Sequence, residues 1–248
     1  MGLKIKNSKN IVTDGLILHL DASDKLSYSG GATWKDRSPN GYNGTLNNGP
    51  SFFYTYGGDI VFDGTNDRVN ILNSPLLSSH SNNETSVCAW VRVANFDSSG
   101  IIGPIVYLRN SADNNQDYIR LGFRTDGRIR VDLRLQVGPL TEPRIFTSVS
   151  TVSTNTWTLV CFTYDGFHLK MYKDGNSFYS YPLAGILQDS SSNAQSIIGA
   201  DKDSNTDQDA DYNQFLNGRV GELYCYNKAL TASEIKQMYN ATKGRFSV

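Results

Sequence analysis

Oxygen-bearing side chains crowd the stretch Asp59–Ile71, which reads D-I-V-F-D-G-T-N-D-R-V-N-I. Asp63, Asn66 and Asp67 gather around Gly64, and two chemistries fit that spacing. Asp and Asn commonly cap their own turn, and the same oxygens can converge on a hard cation such as Ca²⁺. A second acidic stretch runs from Asp201 to Asp211. There Asp201, Asp203 and Asn205 match the first three side-chain ligands of an EF-hand loop, but Thr206 stands where glycine is needed and Tyr212 where a glutamate should bind. The stretch is therefore not an EF-hand. Asp201, Asp203 and Asp209 form a weaker calcium candidate, set against the alternative of a solvated acidic loop.

Sugar recognition needs an exposed aromatic plane beside polar groups. Among 14 tyrosines the notable candidates are Tyr42, Tyr54, Tyr56, Tyr118 and Tyr212, with Tyr42, Tyr118 and Tyr212 carried forward as ligand-binding residues. The residue type alone does not choose, because tyrosine also suits strands and protein interfaces. Arg128, Arg130 and Arg134 alternate along one strand; they read as a groove for acidic sugar or phosphate, or as a solvated face.

Catalytic signals are weak. Glycoside hydrolysis requires two carboxylates flanking the scissile bond, whereas Glu84, Glu142, Glu222 and Glu234 are each isolated. His19, His80 and His168 are dispersed, and neither a Gly-x-Ser-x-Gly elbow nor a phosphate loop occurs. A non-enzyme is expected. Net charge is −1, and the 23 Lys and Arg residues form no basic run, which argues against nucleic acid. No apolar stretch reaches signal-peptide or membrane-spanning length, so neither a Sec signal nor membrane insertion is expected. Cys88, Cys161 and Cys225 lie inside apolar runs and read as reduced, buried thiols.

The elements that must position these residues are mostly strands. Ile60/Phe62 and Val69/Ile71 alternate on either side of the polar turn, a period of two that predicts a β-hairpin. Further strands are predicted at Gly15–Leu20, Glu84–Val93, Ile101–Leu108, Asp117–Arg124, Gly127–Leu135, Phe146–Val152, Trp157–Tyr164, His168–Lys173, Ser196–Gly199 and Phe215–Tyr226. Glu84–Val93 is apolar on both faces over much of its length, which places it centrally in a sheet covered on both sides. The Pro-, Asn- and Gly-rich stretch 36–50 reads as surface loop. Near the end, Thr231-Ala-Ser-Glu234 is a capping box, Ile235, Met238 and Tyr239 share a helical face, and Gly244 is a stop. A helix over 231–243 packed on a sheet edge follows. The expectation is one domain over 1–248, with 1–14 as an N-terminal arm.

In their order along the chain, Gly15–Ala22, Trp34–Gly44, Ile60–Val69, Trp157–Gly175 and Asn217–Ile235 resemble the concanavalin A-like lectin/glucanase superfamily, in its laminin G-like or pentraxin-like branch. The resemblance implies an all-β jelly-roll sandwich of two antiparallel sheets, with Ca²⁺ at a loop rim and glycan or protein contact on the concave face or loops. Asp63, Gly64 and Asp67 match the branch's Asp-Gly-x-x-Asp turn. The acidic pair that often follows in the last strand is incomplete, since Val220 is followed by Gly221-Glu222. The Leu-Asp-Ala start, the Asn-Gly-rich loop and the ending Asn240–Phe246 look most like copies in structural proteins of tailed bacteriophages. That implies a non-enzymatic virion structural or decoration protein, assembled in the host cytoplasm and carried on capsid or tail. Its partners would be other virion proteins, further copies in an oligomer, and host-surface or environmental glycans. The competing readings are a scaffold making only protein contacts and a glycoside hydrolase of the same fold.

Overall fold

The computed structural model describes residues 10–72, 82–96, 104–109, 118–137, 140–187, 195–202 and 212–248. Two antiparallel sheets face each other. The first runs in the order β14 (Asn176–Pro182), β13 (His168–Lys173), β12 (Thr158–Tyr164), β7 (Thr85–Val93), β19 (Asn217–Tyr226), β5 (Asp59–Asp63) and β4 (Ser51–Phe53). β1 (Leu16–Asp21) lies along the C-terminal half of β19. The second runs β11 (Leu140–Thr151), β10 (Arg128–Val137), β9 (Tyr118–Phe123), β8 (Pro104–Arg109), β16 (Gln195–Ile198), β6 (Arg68–Ile71), β3 (Gly44–Asn47) and β2 (Thr33–Trp34), with β15 (Ile186–Leu187) on β10. β17 (Asp201–Lys202) and β18 (Tyr212–Asn213) form a separate ribbon.

Between the sheets, alternate residues interdigitate, among them Val87, Val91, Val131, Leu133, Phe162 and Val220. This is the expected two-sheet sandwich. The other face of the first sheet is equally apolar. Cys88, Trp90, Leu159, Cys161, Tyr224 and Tyr226 pack there against Ile235, Met238 and Phe246 of helix α1 (Ala232–Phe246). β7 is apolar on both faces because it has a core on each side.

Five expectations are corrected. β5 and β6 do not pair: β5 bonds β4 and β19, while β6 bonds β3 and β16. The turn at 63–67 carries the chain from one sheet to the other. Ile60, Phe62, Val69 and Ile71 all reach the shared core, so the period of two is real, but it is the same for a hairpin and for an arch between layers. α1 covers a sheet face, not an edge, and runs through Gly244 to Phe246, with Ser247 in the left-handed region at φ 58°. Stretch 36–50 contributes β3, and β2 pairs with it. Beyond residues 1–9, the N-terminal segment tucks in. Val12 is buried, and its carbonyl accepts a hydrogen bond from the Tyr226 hydroxyl at 2.9 Å.

Candidate functional site

At the turn between β5 and β6, Asp63 Oδ1 accepts the N–H groups of Thr65 at 2.7 Å and Asn66 at 3.3 Å, and Asp67 Oδ2 accepts the N–H of Asp63 at 3.0 Å. Burial raises the Asp67 carboxyl pKa. These are capping bonds. Ca²⁺ takes about six to eight oxygens, and among the described residues no group of three or more His, Cys, Asp or Glu side chains is placed to hold a metal. The described bonds of Asp63 and Asp67 are those of a self-capped turn. In the second acidic stretch, Asp201 is buried and paired with Arg120 Nη1 at 2.6 Å. Asp203 and Asp209 lie outside the described residues.

The arginines of β10 are not a free cationic groove. Arg128 pairs with Asp126 at 2.6 Å and Arg130 with Asp132 at 2.7 Å. Asp132 itself is 0% exposed and also faces Arg120 at 3.4 Å. Arg128 and Arg130 are therefore neutralised by neighbouring aspartates.

Of the three tyrosines carried forward, Tyr42 is half-buried against the core, and its backbone N–H donates to Asp36 Oδ2 at 2.9 Å. The side chains of Tyr118 and Tyr212 lie outside the described residues.

Tyr54 is the most exposed aromatic among the described residues. A cleft of about 420 Å³ opens between the loop after β1 and the segment from β4 to Gly57, lined by Ser23, Lys25, Tyr28, Ser29, Phe52 and Tyr54. Its rings are chained: Tyr28 and Phe52 lie 5.1 Å apart and tilted, and Tyr54 meets Phe52 edge-on at 4.8 Å. Tyr54 is 85% exposed. Tyr28 donates to the carbonyl of Gly31 at 2.9 Å, and burial raises its phenol pKa, so the hydroxyl remains a donor. Lys25 stands exposed at the rim with no ion pair among the described residues.

Local chemistry explains why the cleft forms. Asp24 Oδ1 accepts the Leu26 N–H at 2.9 Å, its carbonyl accepts from Ser27 and Tyr28 at 2.7 Å each, and its Oδ2 holds Arg37 at 2.9 Å. The opposite wall turns on Gly58 at φ 130°, where a Cβ would meet Phe52 Cζ at 2.6 Å and the Ala22 carbonyl at 2.8 Å. Only glycine allows that approach. The sequence carries a signal for this wall that the spacing of carboxylates overshadows: Phe52-Phe-Tyr-Thr-Tyr56 ahead of two glycines is dense in rings for a turn. Such a cleft, with an aromatic plane, hydroxyls and one cation, is suited to stacking a sugar ring and bonding its substituents.

Residues 63–236 match the family model described as the concanavalin A-like lectin/glucanases superfamily. The chain belongs to that superfamily. No curated protein matches it in sequence. Solved structures of similar fold include the receptor-binding domain of botulinum neurotoxin C/D mosaic serotype (22% identity, TM-score 0.64, covering 92% of this chain and 52% of that one). Another is the binding domain of Paraclostridial Mosquitocidal Protein 1 (17%, 0.61, 92% and 52%). A third is domain 4 of the extracellular arabinanase AbnA from Geobacillus stearothermophilus, in complex with arabinotriose (17%, 0.58, 92% and 100%). The chain spans about half the length of the two toxin structures. At these identities the likeness is one of fold.

Proposed function

We propose that this chain is a non-enzymatic adhesion domain that binds glycans in the Tyr28–Phe52–Tyr54 cleft and is displayed on a bacteriophage particle. The observation that carries the binding role is Tyr54, an aromatic ring 85% exposed at the mouth of a cleft that also offers Ser23, Ser29 and Lys25. Support from relatives is of kind, not of ligand: the neighbours named above are toxin binding domains and an arabinanase domain solved with a bound sugar. The absence of chemistry rests on the lining. No carboxylate lines the cleft, whereas glycoside hydrolysis needs two. Glu222 is buried and committed to Tyr224 and Arg245. Placement on a phage particle rests on the sequence resemblance of the chain's beginning and end to phage structural proteins.

A panel of immobilised neutral and uronic acid-containing oligosaccharides, presented at high density, tests the reading. Wild type is expected to bind a subset of the panel, and Tyr54→Ala to weaken that binding about tenfold or more, equivalent to about 1.4 kcal/mol. Binding that survives Tyr54→Ala unchanged overturns the cleft. Silence across the panel, together with stable assembly onto purified phage capsid or tail protein, favours the scaffold instead. The exposed Ile145, Val149 and Tyr181 on edge strands β11 and β14 offer it an apolar surface.

A further inference from the structure

The aromatic wall of the cleft is held by more than its own sequence neighbours. Tyr56 adopts φ +54°, ahead of Gly57 at +81° and Gly58 at +130°; glycine takes such angles readily, but a left-handed tyrosine persists only where its surroundings hold it. Beside the local bond from the Gly58 amide to the Thr55 carbonyl, contacts from the far end of the chain hold it. Arg245, in the last turn of α1, donates from Nε to the Tyr56 carbonyl at 2.6 Å and from Nη2 to the Gly58 carbonyl. Its Nη1 bonds both Asp21 Oδ1 at 2.9 Å and Glu222 Oε1 at 2.6 Å. The guanidinium also lies over the Phe246 ring at 4.6 Å, and the Tyr56 ring meets Trp157 edge-on at 5.9 Å.

Each of these ties has a distinct role. Asp21 and Glu222 are buried carboxylates at paired positions on β1 and β19; they fix the guanidinium in place. Asp21 Oδ1 additionally accepts from the Ser23 N–H at 2.9 Å and the Ser23 hydroxyl at 2.7 Å, so the same carboxylate sets a residue of the opposite wall. A planar fork with several donors can serve two carboxylates and two carbonyls at once, which an ammonium cannot.

We infer that Arg245 is a positioning residue for the glycan cleft: through Asp21 and the carbonyls of Tyr56 and Gly58, the end of the C-terminal helix sets the spacing between the two cleft walls. This rests on the cleft being the binding site. The consequence is that a residue outside the cleft lining controls ligand affinity. Loss of the helix terminus would open the turn at 54–58 while leaving the sandwich strands paired.

The test compares wild type, Tyr54→Ala, Arg245→Lys and the double variant on the same oligosaccharide panel, at a temperature well below each variant's melting midpoint. Hydrogen exchange of the Gly58 amide, which donates to the Thr55 carbonyl at 3.0 Å, is followed in parallel. Arg245→Lys is expected to weaken binding at least fivefold, to add little in the Tyr54→Ala background, and to speed Gly58 exchange at least tenfold relative to amides of β7. A folded Arg245→Lys with unchanged affinity and unchanged Gly58 exchange overturns the role of Arg245. Should Arg245→Lys not fold, exchange in wild type decides: Gly58 protected to the level of α1 supports the clamp, and exchange as fast as an open loop overturns it. Unchanged binding in Tyr54→Ala sinks the cleft itself, whereas loss in Tyr54→Ala with retention in a folded Arg245→Lys sinks only the positioning role.

Discussion

Asp59 follows directly on the clamped turn and has an unusual environment. It is 0% exposed, and its nearest described cation is Arg219 Nη1 at 3.6 Å, beyond hydrogen-bonding reach. Burial pushes its carboxyl up to about 6, although the positive charges of Arg219, Arg245 and Arg92 pull the other way. Desolvation outweighs attraction because none of these partners closes to a bonded pair. The sign of the pH effect follows. Between about pH 4 and pH 6 the folded chain holds a proton that the unfolded chain has released, so this group lowers stability as pH rises through that window and adds no further change above it. Asp59→Asn keeps the shape without the charge, and is expected to stabilise the fold at pH 7 by on the order of 1–3 kcal/mol. Asp126, Asp165 and Glu234, whose pKa values are lowered by hydrogen bonds and cationic neighbours, contribute the opposite slope. The difference between wild type and Asp59→Asn in melts from pH 4 to pH 7 isolates the one group. A difference that does not widen between pH 4 and pH 6 rules out this account of Asp59.

At the level of elements, the docking of α1 explains why β19 departs from the family pattern. Gly221 sits at an irregularity in the β19–β7 ladder, and a Cβ there would meet Phe246 Cε1 at 2.6 Å. The acid missing from that position would displace the ring that stacks on Trp90 at 4.3 Å and tilts against Trp157 at 4.7 Å. Gly221→Ala is expected to destabilise by about 1–3 kcal/mol through overpacking, and Phe246→Leu in the same chain to recover part of the loss. Calorimetry of the two variants checks this, and a Gly221→Ala melt equal to wild type excludes the steric account. The helix also shows what the sequence can and cannot disclose. Its start was legible because capping is local: Thr231 accepts the Glu234 N–H at 3.2 Å, and Glu234 Oε2 accepts the Thr231 N–H at 2.8 Å. Its end was not, because Arg245 and Phe246 find their partners on β1, β7 and β19 and at Trp157, and these contacts carry the helix past Gly244. The strands were legible from their alternation. The arch between β5 and β6 was hidden, because Ile60, Phe62, Val69 and Ile71 point to one core whichever way the turn runs.

For the whole molecule, the arrangement of layers decides where a ligand can approach. α1 and the segment around Val12 cover the outer face of the first sheet, and ion pairs among Arg120, Arg130, Asp132 and Asp201 occupy part of the outer face of the second. The aromatic cleft lies at the border of the first sheet, beside β4. Tyr54 stood among the candidates in the sequence, but its meeting with Tyr28 was hidden, because tertiary contact brings them together with no motif spacing to mark them. A cleft built on one exposed ring, two serines and one lysine buries little of a ligand, so each site is expected to bind weakly, with Kd near ~1 mM or about −4 kcal/mol. Adhesion then depends on copy number, since linked sites raise avidity by roughly 10²–10⁴ without any new contact. Biotinylated chain captured as a tetramer on streptavidin is therefore expected to hold the oligosaccharide surface at least a hundredfold more tightly than the single chain, with the gain lost in Tyr54→Ala. Equal retention of single and tetrameric chain would mean that one site suffices. That result would remove multivalent adhesion as the way this cleft works.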